Sequence, residues 1–508
     1  MKKASNGYQT LHSLSRHSRI LQGIQSLLEW DQETYMPSEG SGIRAEQLKA
    51  LAGLIHKEKT SKKFASTLNK LINIKTGKIL RKDLLKPQEA ALRAWKRDYR
   101  REVALPGKFV EDFAKLTSEA KHAWIYAKKQ QSFEQFCPYL EKIVSMCRHK
   151  ADLIGYKEHP YDALLEEFEP GITTSEVATL FQSLQISTLK LLKKIRSAKQ
   201  IQGSFLHQNV SEKDQMLFSQ TLLKLIGYTK EHGRLDISAH PFSSSSHPTD
   251  SRITTRIDPS NFVSNIRTVL HECGHAFYEM GLPIDNYGSP LGEAISLGVH
   301  ESQSRWWETL VGMSKPFWRF CLPHLKKHLK GKLDGVSVES FWIAINKVEP
   351  SLIRVEADEV TYALHVILRF ELELALIEGS LLVKKLPEAW NEKMHTLLGI
   401  SPKNHAEGCL QDVHWSFGAF GYFPTYTLGN MYAAHLFQGF EKTFPKWSEN
   451  ISNGEFLFMK NWLKENIHQH GRAYSSLELL KNVTGKPFTA KAFSDYLTNK
   501  YHAIYNIH

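Results

Sequence analysis

The amino-acid sequence predicts an all-α fold with one very small β-element, on three observations. Apolar residues recur at helical spacing, strand-like alternation is scarce, and the breaks between apolar stripes are short. The first stripe, Leu14, Leu21, Ile24 and Leu28, has spacings of seven, three and four and marks one helix face. Similar stripes cover 108–128, 134–153, 173–196, 211–226, 261–280, 292–312, 339–348, 352–378 and 431–446. Met36-Pro37, Glu169-Pro170-Gly171, Pro241 with Ser243–Ser246, and Gly281-Leu282-Pro283 read as the turns between them. Only Arg252-Ile253-Thr254-Thr255-Arg256-Ile257, closed by Asp258-Pro259, alternates like a strand. No internal repeat or low-complexity linker divides the chain. Residues 1–508 therefore read as a single domain, with 57–90 its most lysine-rich and least regular part.

Composition narrows the function classes. Charged residues are 23% and apolar residues 42% of the chain, values of a globular protein rather than a disordered one. The net charge of +12 is spread over 508 residues. Its densest basic stretch, His324–Lys332, lacks interleaved aromatics and reads as a solvated helix face, so no nucleic-acid partner is expected. Five scattered cysteines fit a reducing compartment rather than a disulfide framework. The N-terminus has no apolar core behind its two lysines, and no run of about eighteen apolar residues occurs. A cytoplasmic protein without membrane contact is expected.

Chemistry concentrates in His271-Glu272-Cys273-Gly274-His275. Histidines at i and i+4 share a helix face one turn apart, so both imidazoles can bind one zinc ion. Bound zinc lowers the pKa of its water toward ~7, and Glu272 is placed to take that water's proton. The chance alternative is a histidine-rich amphipathic helix. Against it stand the buried stripe Val263, Ile266, Val269 and Leu270, the small Gly274, which admits a neighbouring helix, and a second acidic motif downstream. That motif, Gly298-Val299-His300-Glu301-Ser302, falls on the next predicted helix, antiparallel to the first. Glu301 is the preferred third ligand, with Glu293 and Glu308 as competitors. Cys273 is expected to face away from the metal into the core.

Further strings occur in order along the chain. They are His240-Pro241-Phe242, Asp250-Ser251-Arg252-Ile253-Thr254, His300-Glu301-Ser302, Ile353-Arg354-Val355-Glu356-Ala357-Asp358 and Gly408-Cys409-Leu410-Gln411-Asp412-Val413-His414-Trp415. Trp30-Asp31-Gln32-Glu33-Thr34 and Tyr422-Phe423-Pro424-Thr425-Tyr426 flank them. Together with HECGH, these strings resemble the Taq-type metallocarboxypeptidases over about residues 10–505. The resemblance implies an all-α fold with a deep substrate groove, which helices within about 1–110 would cover, and usually a homodimer. It also implies release of single residues from free peptide C-termini, with broad specificity, using zinc or cobalt.

The remaining motif residues acquire candidate roles. A planar guanidinium suits a terminal carboxylate, and Arg354 is the candidate, its structural alternative being an i,i+4 salt bridge to Asp358. His414 can donate to the scissile carbonyl or the oxyanion, and His240 can do the same or position substrate. Tyr422 and Tyr426 offer hydroxyls, against the alternative of core aromatics. Asp250 and Arg252 either orient a ligand histidine or pin the groove wall, and Asp358 is a similar supporting candidate. Trp30-Asp31 reads as locking the N-terminal helices to the body. Two other functions compete: an oligoendopeptidase of similar helical architecture, and a catalytically silent binding protein.

Overall fold

A computed structural model describes residues 6–507. Helices dominate, and the described residues hold a single sheet of three short strands, matching the predicted fold class. The strands are β1 (Leu235–Ile237), β2 (Ser243–His247) and β3 (Asp250–Thr255), in the order β1-β3-β2. β3 is the predicted strand, shifted two residues toward the N-terminus. It runs parallel to β1 and antiparallel to β2.

The serine run read as a turn is in fact β2. Serine has little strand preference of its own, and the pairing is imposed from outside the segment. Ser244 lies opposite Arg252 and Ser245 opposite Ser251, with the two hydroxyls of that second pair 2.5 Å apart. The first helix, Asn6–Thr34, lies against β2 so closely that a Cβ on Gly23 would sit 2.7 Å from the Ser246 carbonyl oxygen. Trp30, near that helix's end, is buried beneath the Arg252 guanidinium (4.5 Å) and close to that of Arg234 (5.1 Å). Asp31 beside it accepts from Arg44 at 2.7 Å.

One large apolar core runs from Leu116 to Tyr505, and Cys273 is wholly buried in it. A second, small cluster joins Tyr8, Leu11, Phe64, Leu68, Leu92 and Trp95 to Leu291 of the body. The segment 57–90 is thus more regular than its composition suggests. Ser61 caps a helix, Lys62–Leu71, whose apolar face fills this cluster, and an Ile72–Ile79 bridge closes the turn behind it. No helix among the described residues is long and apolar enough to cross a membrane, and the five cysteines are unbridged.

Two helices start later than periodicity predicts. The 352–378 stripe becomes helical only at Tyr362. Asp358 intervenes, its carboxylate accepting from the backbone of Val360 (2.9 Å) and Thr361 (3.0 Å) and from the Thr361 hydroxyl (2.7 Å). A side chain that satisfies free N–H groups in this way holds a turn before the helix rather than a turn of it. Asp358 is therefore a local cap and neither pairs with Arg354 nor supports a ligand histidine. The 292–312 stripe starts at Leu297, capped by Ser296, and widens into a π-helical turn over Trp306–Val311.

The HECGH helix, Phe262–Gly281, and the Glu301 helix, Leu297–Arg305, run antiparallel and meet at Gly274. A Cβ there would lie 2.4 Å from the Gln303 carbonyl oxygen and 2.6 Å from the Ser304 Cα. Both obstacles are backbone and cannot turn aside. Gly274→Ala is expected to destabilise the protein by about 1–3 kcal/mol through overpacking. Urea unfolding of the two proteins measures this, and equal midpoints would refute the tight crossing.

Candidate active site

The antiparallel pairing carries its consequences residue by residue. Asn261 caps the HECGH helix, whose apolar face (Ile266, Val269, Leu270) enters the core and leaves His271 and His275 on the face toward Glu301. The His275 Nε2 atom lies 3.4 Å from Glu301 Oε2, and His271 Nε2 lies 3.7 Å from the same oxygen. Among the described residues, His271, His275 and Glu301 are the group whose donor atoms converge, all within 4.8 Å of one another. Two imidazoles and a carboxylate are the donor set of a catalytic zinc site with an open position. The residues present therefore fit a divalent ion.

The two competitors for the third ligand lie elsewhere. Glu293 pairs with Arg472 at 2.9 Å. Glu308, carried round by the π turn, faces the opposite edge of His271, with Oε2 at 2.8 Å from Nδ1. Its carboxylate also accepts from Arg267 (2.9 Å) and Arg305 (3.1 Å). Arg305 reaches Glu301 Oε1 at 2.7 Å as well, leaving Oε2 to face the histidines. Burial alone would raise the carboxyls of Glu301 and Glu308. Arg305 foremost, with the other cations nearby, overcomes that and holds both well below the usual carboxylate range.

Glu272 is buried, yet its carboxylate makes no hydrogen bond with a described residue. Burial raises its pKa to about 7, opposed chiefly by His271. A carboxylate in that range can accept and return a proton near neutral pH. Against the Glu301 helix also packs Pro424–Thr443, and the contact is again a glycine, since a Cβ on Gly429 would lie 2.4 Å from Glu301 Cγ. This helix carries Tyr426, whose hydroxyl is 3.0 Å from His414 Nε2. Tyr422 meets the Tyr426 ring edge-on at 5.3 Å. Burial lowers the pKa of His414 to about 4, so its ring is neutral at physiological pH.

Arg354 sits over the Tyr426 ring at 4.5 Å, in a short 3-10 turn, and is only 4% exposed. Its Nε and Nη2 donate to Asp412 Oδ1 (3.1 and 2.9 Å), and Nη1 donates to the Tyr362 hydroxyl at 3.1 Å. Asp412 also accepts from Arg369 at 2.7 Å, so one carboxylate compensates two buried guanidiniums. Asp412 was quoted within a motif but given no role by the sequence reading; the signal available was an acid two residues before a candidate histidine.

Three residues singled out in the sequence lie apart from this cluster. His240 is exposed on the loop between β1 and β2, and no ring hydrogen bond joins it to the site. Asp250 and Arg252 pair with each other at 2.8 and 3.0 Å. They brace β3 against Trp30 rather than orienting a ligand histidine, whose outer nitrogens face Glu308 and His300 instead.

Asp412→Asn removes the charge while keeping the shape, stranding Arg354 and Arg369. A loss of about 3–5 kcal/mol is expected, the cost of breaking a buried ion pair from one side. Burial alone would raise the Asp412 carboxyl, and Arg354 and Arg369 instead hold it well below the usual range. Its contribution is therefore complete above the unfolded value of ~3.9 and declines as pH falls below it. Denaturant unfolding of both proteins at pH 7 and pH 3 measures this; the difference between them is expected to narrow at the lower pH. A wild-type midpoint for the variant at pH 7 would refute the role.

Comparisons with known proteins agree with this geometry. Residues 10–501 match the family described as Carboxypeptidase Taq (M32) metallopeptidase. The chain is 42% identical to thermostable carboxypeptidase 1 of Thermus thermophilus, covering 98% of this chain and 99% of that one. It is 36% identical to carboxypeptidase 1 of Bacillus subtilis, covering 98% of each. The crystal structure of the M32 carboxypeptidase from Deinococcus radiodurans superposes with a TM-score of 0.95 at 33% identity, over 99% of this chain and 100% of that one. With its fold, its converging His271, His275 and Glu301 and these relatives side by side, the chain belongs to the Taq (M32) family of metallocarboxypeptidases.

Proposed function

We propose that this protein is a zinc carboxypeptidase that releases single amino acids from the free C-terminus of peptides. The observation that carries the reading is the convergence of His271 and His275 on one oxygen of Glu301, beside a buried and unbonded Glu272. His271, His275 and Glu301 would hold the ion; zinc suits their N/N/O set, and cobalt satisfies the same ligands. A divalent ion bound there supplies a Lewis acid for the scissile carbonyl and makes water acidic enough to deprotonate near neutral pH.

The chain's own groups carry the proton and the substrate. Glu272 takes the proton from the attacking water and passes it to the leaving amine. Arg354 has five N–H donors, and three are committed to Asp412 and Tyr362. Five less three leaves two for the terminal carboxylate, on a guanidinium already fixed in place. His414 Nε2 donates to the Tyr426 oxygen at 3.0 Å, which leaves the Tyr426 hydroxyl proton for the oxyanion, with Tyr422 lining the same wall. His240 takes no step in this scheme.

Timed mass spectrometry of one peptide as its free acid and as its C-terminal amide tests the polarity. Stepwise loss from the free acid alone is expected, abolished by a chelator. Internal fragments from both forms would instead indicate an oligoendopeptidase. Glu272→Gln should lower kcat about 10²–10⁴-fold while the protein still binds one ion. Full activity in that variant would sink the general-base assignment.

A further inference from the structure

The two metal-ligand histidines are braced differently. His271 Nδ1 meets a carboxylate directly, at Glu308. His275 Nδ1 instead meets another ring nitrogen, Nδ1 of His300, at 2.6 Å. The far nitrogen of His300, Nε2, lies 2.9 Å from Glu279 Oε1. The His300 ring also lies against that of Tyr278, tilted by 56° at 5.1 Å between centroids. Glu279 and His300 line a cavity of about 670 Å³ next to the site, and neither belongs to the ligand set.

We infer that Glu279 and His300 form a directed hydrogen-bond chain that sets the tautomer of His275 and so presents its Nε2 lone pair to the ion. The direction follows from donor and acceptor counting. A carboxylate only accepts, so His300 Nε2 carries a proton and donates it to Glu279. An ion on His275 Nε2 requires the one proton of that ring to sit on Nδ1, so His300 Nδ1 is the accepting side of the 2.6 Å contact. The proton between the two rings therefore belongs to His275 Nδ1, and His275 Nε2 is left with its lone pair free. Reversed, the chain would place a proton on Nε2, where a ligand atom must have none. His300 is a positioning residue here, one imidazole removed from the ion, and Glu279 acts through it.

This inference rests on the proposed metal site, and the experiment separates the two. Zinc affinity is measured by competition with a chromogenic chelator, and the d–d spectrum of the cobalt-loaded protein is recorded. The proteins are wild type, His275→Ala, His300→Leu, His300→Asn and Glu279→Leu. Wild type should bind one ion and His275→Ala should lose it; failure here sinks the metal site itself. Given that site, His300→Leu removes the acceptor facing His275 and should weaken zinc binding about 10–100-fold, with a shifted cobalt spectrum. Asparagine places a carbonyl oxygen near the old Nδ1 position, so His300→Asn should restore much of the affinity and the wild-type spectrum. Glu279→Leu frees His300 to take either tautomer and should weaken binding in the same direction by less. Wild-type affinity in both leucine variants overturns the inference, as does equal loss in His300→Leu and His300→Asn, which marks mere packing. Should His300→Leu fail to fold, the Asn and Glu279 variants decide: Glu279→Leu at wild-type affinity overturns it.

Discussion

Glu301 is a buried carboxylate that must stay charged, and much of the site is arranged to meet that demand. An isolated carboxylate in so dry a place would take up a proton instead. Arg305, one turn further along the same helix, prevents this by holding one of its oxygens. The other oxygen is thereby left for the two histidines. Arg305 is itself buried, and Glu308 compensates it in turn while bracing His271. One alternating string of charges thus links the carboxylate to a ligand histidine.

A second such arrangement lies under the site's far wall. Asp412 stands between Arg354 and Arg369, and its charge allows both guanidiniums to remain buried. The cost of assembling such groups falls on folding, so both guanidiniums are held in place in advance. Tyr362 and Tyr426 complete the enclosure, one accepting from Arg354 and the other lying beneath it. The two charged groups meet along this aromatic layer, with Arg305 over the Tyr362 ring at 4.4 Å.

The HECGH helix was legible because its signal is local: two histidines four apart, an apolar stripe and the glycine that ends it. Helical periodicity made the fold class legible, and the ordered strings the family, for the same reason. What escaped the sequence was nonlocal. The i,i+4 pairing of Arg354 with Asp358 assumed a helix there, but Asp358 spends its oxygens on backbone N–H groups and delays the helix to Tyr362. The π turn at Trp306 carries no periodicity signature, and it decides which face Glu308 presents. Ser243–Ser246 becomes a strand only because β3 and the first helix meet it. Asp250 and Arg252 read in sequence as supports of a ligand histidine or of the groove wall, yet they pair with each other and Arg252 lies over the Trp30 ring.

Gly429 has no donor atom and touches no substrate, yet its missing side chain is what lets the Tyr426 helix lie against Glu301. The position behaves as a fixed stop against the stem of the Glu301 side chain. A methyl group there would act on the ligand by displacement rather than by chemistry, moving the oxygen that both histidines face. The place of the Glu301 carboxylate is therefore written partly in empty space: the residues that specify it include one that contributes only room.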